Sequence, residues 1–160
     1  MTLTIADEYN LNVDRIKSVK LALIHDIQEY LTGEIDSKLI EMGDVTKEEK
    51  FLGELKAVRN IEKRFGWFGK EISNLWFDFE DESIKEVRYV KALDKIEAIT
   101  HLINIRTEHY YNDLEYTATY ADKAVSNFPE LKPLLKDVKK KLREKCEKFG
   151  GRWKSKYDLI

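Results

Sequence analysis

The 160 residues carry 28 Lys and Arg against 30 Asp and Glu, and this interspersed net charge of −2 suggests neither a nucleic-acid footprint nor an anionic membrane surface as partner. The lone Cys146 excludes an internal disulfide framework and a thiolate zinc site, so a reducing, cytoplasmic setting is expected. Only two prolines and seven glycines, with 42% hydrophobic and 36% charged residues, point to one helical domain over 1–160 and away from β-rich classes.

Thr2 to Tyr9 read as the tail of a helix with Leu3 and Ile5 inward, and no N-cap or capping box precedes them. Asn12 can cap a second helix over about 13–31, whose apolar stripe is Ile16, Val19, Leu23, Ile24, Ile27 and Leu31. Gly33 suits its C-terminal stop, and a polar loop follows over 34–45. Thr46-Lys47-Glu48-Glu49 is a capping box opening a helix to about Phe65, with Phe51, Leu55, Val58 and Ile61 inward. Gly66 stops that helix, and Trp67 and Phe68 are expected to pack a corner before a short helix over about 70–80 bearing Ile72, Leu75, Trp76 and Phe79. A second capping box, Ser83-Ile84-Lys85-Glu86, starts a long helix to around His109 along Val87, Val90, Leu93, Ile96, Ile99 and Ile103. A further helix covers about 113–126, and Pro129 and Pro133 fit the entrance of a last one, about 130–148. Its basic run from Lys136 to Lys148, interleaved with Asp137, Glu144 and Glu147, reads as a solvated face, with Cys146 packed inward after Val138 and Leu142. The tail from Arg152 to Ile160 either docks through Trp153 and Tyr157 or frays. No segment alternates like a strand and none reaches the roughly 18 apolar residues of a membrane span, so the expected class is all-α, with no membrane partner. The N-terminus has no signal-peptide pattern.

Two places put acid or imidazole where periodicity wants hydrocarbon. His25, Asp26 and Glu29 lie at i,i+3 and i,i+4 spacings on the second helix, and Asp94 sits within the spine of the long one. Buried polar groups need partners, and imidazole beside carboxylate is a natural start for a divalent-cation site. The spacing alone leaves two alternatives open. A cation shared by His25, Asp26 and Asp94 would satisfy all three, or Asp94 bonds to Lys91, Lys95 or a backbone group. His101 is two turns, or about 10.5 Å, beyond Asp94, too far to share one ion. His109 suits a helix C-terminal dipole contact.

The run LIHDIQEYLTGEI from Leu23, followed by LWFDFEDESIKEVRYVKALDKIEAI from Leu75, resembles the HD-domain phosphohydrolases, and among them the YfbR-like and HDDC-like deoxynucleoside 5′-monophosphatases. The resemblance runs from about Leu3 to His101. It implies a helical bundle of about six or seven helices holding one divalent metal ion, with His25 and Asp26 as the His-Asp doublet and Asp94 as the distant aspartate. It implies that Glu29 works on the attacking water and that Glu34, where the family usually has aspartate, serves the phosphate or leaving group. The first metal histidine of the family lies in a Glu-His-Ser helix start, and a phosphate-binding arginine lies nearby. Both fall ahead of the segment that Thr2 to Tyr9 resembles, so Met1 is expected to be a late start or an internal methionine.

The resemblance thus implies a metal-dependent phosphomonoesterase acting on a nucleotide, as a homodimer. Mixed nitrogen and oxygen ligands suit manganese, iron, cobalt, nickel or zinc, and magnesium less well. The competing expectation is an HD scaffold without catalysis, acting as a binding or dimerisation module. In a third, a partner chain supplies the missing ligand. Trp67, Phe68, Trp76 and Phe77 are surplus aromatics that suit either an interface or the core.

Overall fold

The computed structural model describes residues 1–33, 35, 37–104 and 114–160, without the side chains of Ser37, Lys38 and Glu41. Glu34, His109 and the expected end of the long helix lie outside these described residues. Among them every regular element is helical: α1 (Thr2–Glu8), α2 (Arg15–Ile24), α3 (Glu29–Thr32), α4 (Ser37–Met42), α5 (Lys47–Glu80), α6 (Lys85–Asn104), α7 (Leu114–Thr119), α8 (Asp122–Ser126) and α9 (Lys132–Lys148), with 3₁₀ turns at Pro129–Leu131 and Ser155–Asp158. The all-α expectation holds. No helix among the described residues is long and apolar enough to cross a membrane. The chain forms two compact units, Ile16–Val87 and a second made of Met1–Arg15 with Arg88–Ile160.

In the unit Ile16–Val87, α5 begins as its sequence dictates. The Glu49 N–H donates to Thr46 Oγ1 at 3.1 Å and the Thr46 N–H donates to Glu49 Oε2 at 2.8 Å, closing the capping box. Gly66 then adopts φ 58° and ψ −128°, a left-handed conformation that costs a side chain dearly, and the helix folds back on itself. The return arm approaches so closely that a Cβ on Gly69 would stand 2.4 Å from the Ile61 carbonyl oxygen. Leu21, Ile24, Ala57, Val58, Ile61, Ile72, Trp76 and Phe79 are buried. Each larger side chain among them contributes about 1.5–3 kcal/mol. Trp76 is fully buried and stacks on Phe51 at 5.7 Å between ring centroids. Lys17 with Asp78, at 3.0 Å, and Lys20 with Glu71, at 3.2 Å, tie α2 to the return arm.

Several apolar expectations fail in this unit. Ile16 and Leu23 are 73% and 76% exposed, and Leu31 and Phe51, also expected inward, are exposed at 44% and 38%. The buried face of α2 is the narrow line Ser18, Leu21 and Ile24; at roughly 100° per residue, Ile16 and Leu23 fall nearly opposite Leu21. Trp67 and Phe68 do not pack a corner either; they project from the kink.

In the other unit, α6 buries Tyr89, Val90, Ala92, Leu93, Ile96 and Ile99. It starts at Lys85, two residues past Ser83, after a turn in which Asp81 Oδ1 accepts the Ser83 N–H at 2.9 Å. The Tyr89 hydroxyl donates to the Thr2 carbonyl at 2.6 Å, and burial pushes its pKa up to about 12. In α1 it is Ala6, not Leu3, that is buried. The helix expected over 113–126 is broken into α7 and α8. On α9 the expected line of Val138, Leu142 and Cys146 is buried, as is Leu135, but so is Lys139, read from the sequence as part of a solvated face. Its ammonium lies 2.6 Å from Asp122 Oδ1 and donates to the carbonyls of Tyr157 at 2.7 Å and Leu159 at 3.1 Å. These bonds hold the tail down: Tyr157 is buried, with Trp153 edge-on at 5.3 Å. The tail docks.

Candidate functional site

The segment expected to be one helix through residue 31 is interrupted at the His-Asp doublet. The His25 Nδ1–H donates to the Ala22 carbonyl at 2.8 Å. That carbonyl is the one the Asp26 N–H would use in a continued α-helix, so the imidazole takes the acceptor and the helix stops at Ile24. Residues 25–28 tighten into turns, with Ile27 N–H donating to Ile24 O at 3.0 Å and Glu29 N–H to Asp26 O at 2.9 Å. Helix α3 resumes at Glu29 and ends at Gly33, whose φ of 73° favours glycine.

This geometry aims the other imidazole nitrogen. Because a carbonyl can only accept, Nδ1 carries a proton, and Nε2 faces Asp26 Oδ2 at 2.9 Å. Phe79 lies against the ring, 5.6 Å between centroids. The imidazole is half-buried and the Asp26 carboxylate is 57% exposed, so the pair opens to solvent on one side. A proton or a metal cation satisfies the contact between Nε2 and Oδ2 equally well. A backbone carbonyl on the second ring nitrogen is what orients metal-ligating histidines. The donor set therefore fits a divalent ion at His25 and Asp26. Glu29 is half-buried in the next turn, and Gln28 between them is buried with its Oε1 lacking a hydrogen-bond partner among the described residues.

Asp94 departs from expectation. It flanks the buried line of Val90, Leu93 and Ile96 rather than lying within it, and its side chain is 35% exposed. Its Oδ2 is 3.0 Å from the Lys95 ammonium, the lysine pairing that spacing left open. Lys95 in turn donates to the Tyr120 hydroxyl at 3.0 Å and lies over that ring, 4.9 Å from its centroid. Burial works against the lysine charge, but Asp94 and Tyr120 outweigh it and raise its pKa. Tyr120 came from no sequence signal, since 25 residues and the α6–α7 connection separate it from Lys95. Among the described residues no three or more of His, Cys, Asp and Glu gather as a metal-holding cluster. Glu34 lies outside the described residues, and His101 is exposed.

The HD domain family matches residues 1–132. This chain belongs to the HD-domain family. Curated relatives include 5′-deoxynucleotidase HDDC2 of Danio rerio, 35% identical over 116 residues that cover 72% of this chain and 52% of the relative. The protein of that name from Homo sapiens is 34% identical over 117 residues, covering 72% and 51%. The 5′-deoxynucleotidase YGK1 of Saccharomyces cerevisiae is 33% identical over 116 residues, covering 69% and 50%. The HD-domain chain thus spans about half the length of the curated relatives it matches. No solved structure matches it.

Proposed function

We propose that residues 1–160 act as one HD-type domain of a metal-dependent phosphomonoesterase that hydrolyses deoxynucleoside 5′-monophosphates. The observation that carries this reading is the His25–Asp26 pair, held with Nε2 and Oδ2 2.9 Å apart in a chain whose relatives are named 5′-deoxynucleotidases. The family resemblance assigns a divalent ion to His25, Asp26 and Asp94, and that ion would supply a water of lowered pKa and polarise the phosphoryl group. The Ala22 carbonyl keeps the His25 ring in the tautomer that offers Nε2. Glu29 would orient or deprotonate the attacking water, and Glu34 would serve the leaving oxygen. Cys146, buried with its thiol pKa raised by burial, suits a reducing cytoplasm. A homodimer follows from the family resemblance.

The test is phosphate release from deoxynucleoside monophosphates by protein supplied with manganese or cobalt. Glu29→Gln should lower kcat by about 10²–10⁴ while leaving metal binding in place. No phosphate from any deoxynucleoside monophosphate, with metal bound, would overturn the reading. A second reading, an HD scaffold without catalysis, is favoured by the Asp94–Lys95 pairing, which puts an ammonium where a cation would approach the carboxylate. It requires that purified protein carry no transition metal and show no thermal shift with manganese or cobalt.

A further inference from the structure

Six consecutive residues at the α5 kink, Lys63 to Phe68, are all exposed. A helix lying on a neighbour alternates buried with exposed positions, so an unbroken exposed run marks a segment that stands out from the surface. Its apolar content is large: Trp67 is 83% exposed, Phe65 53% and Phe68 52%, with the Trp67 and Phe68 rings edge-on at 5.9 Å. Its charges are of one sign. Lys63, Arg64 and Lys70 are exposed around the aromatics, the Arg64 guanidinium lying 5.7 Å from the Phe65 ring. The neighbouring carboxylates are already engaged, Glu62 by Arg59 at 2.7 Å and Glu71 by Lys20 at 3.2 Å.

We propose that this tip is a peripheral docking site for an anionic lipid surface. The Trp67 indole, with its polar N–H, suits the headgroup boundary, the Phe65 and Phe68 rings add apolar area, and basic side chains beside them are drawn to anionic headgroups. Charge decides against a second copy. In a two-fold dimer the patch would face itself, setting Lys63, Arg64 and Lys70 against the same three cations. Shape decides against an extended acidic peptide, which binds in a groove or along a sheet edge. The near-neutral total charge of the chain hides this local excess. The inference does not depend on the phosphatase reading, and its test reads no catalysis.

The test is co-sedimentation of the chain with vesicles of phosphatidylcholine alone and of phosphatidylcholine with 30% phosphatidylserine. The protein should pellet with the anionic vesicles, and brominated lipid should quench its tryptophan emission. Trp67→Ala with Phe68→Ala, and separately Lys63→Glu with Arg64→Glu, should each weaken partition by about tenfold or more. All four positions are exposed, so unchanged melting curves will show that the variants fold. Absence of binding to either vesicle, or binding that neither pair weakens, overturns the proposal. So does conversion of a dimer to a monomer by Trp67→Ala with Phe68→Ala in sedimentation equilibrium, which would make the tip a self-interface.

Discussion

His25 and Asp26, adjacent in sequence, face each other through Nε2 and Oδ2 at 2.9 Å because the Ala22 carbonyl has captured the other side of the imidazole. A cation placed between them would stabilise the folded chain by mass action. At a manganese concentration of 100 Kd this stabilisation is about 2.7 kcal/mol. We expect a rise in melting temperature with manganese in the wild type that disappears in His25→Ala and in Asp26→Ala. An equal rise in all three would place the ion elsewhere.

Two glycines of α5 should respond in opposite directions to the same substitution. Gly53 has open space around it, so Gly53→Ala should stabilise by about 0.5–1 kcal/mol through helix propensity alone. A Cβ on Gly69 would meet the Ile61 carbonyl oxygen at 2.4 Å and the Glu62 Cα at 2.8 Å, backbone atoms that cannot step aside. Gly69→Ala should therefore destabilise by about 1–3 kcal/mol, read from urea midpoints. Matching shifts for both variants would contradict the close approach of the two arms.

Lys139 is 2% exposed and serves Asp122 together with the Tyr157 and Leu159 carbonyls. Lys139→Ala leaves those acceptors without their cation, and losing one partner of a buried pair costs about 3–5 kcal/mol. The tail should loosen as well, so acrylamide quenching of Trp153 should increase. A variant with wild-type stability and quenching would mean that the lysine does not tether the tail.

The Glu49 carboxyl is held below its ordinary value of 4.5, first by the Thr46 backbone N–H and then by the Thr46 hydroxyl. Its pKa is depressed on folding, so the stabilisation is complete above about 4.5 and is lost as pH falls through the folded value. In acid melts, Glu49→Gln should flatten this part of the pH dependence. Separately, Thr46→Ala should cost about 1 kcal/mol at neutral pH. Parallel wild-type and Glu49→Gln curves below pH 4.5 would remove the cap from the explanation.

The sequence by itself determined what is local or periodic. The Thr46–Glu49 box, the stop at Gly66 and the line Val138, Leu142 and Cys146 depend on neighbours within a few turns, and the structure keeps them. The family, too, was legible, because the His-Asp doublet and the segment around Asp94 are contiguous runs. Tertiary structure decided what depends on where a side chain ends up. Periodicity assumes one unbroken helix, but the His25 imidazole competes for a backbone acceptor and breaks α2 before the doublet. Hydropathy buried Ile16 and Trp67 and solvated Lys139; the narrow face of α2, the outward kink at Gly66 and the distant carbonyls of Tyr157 and Leu159 reverse all three. Lys95 joins Asp94 to Tyr120 for the same reason: a hydrogen bond from a helix to a distant turn leaves no trace in the spacing of either.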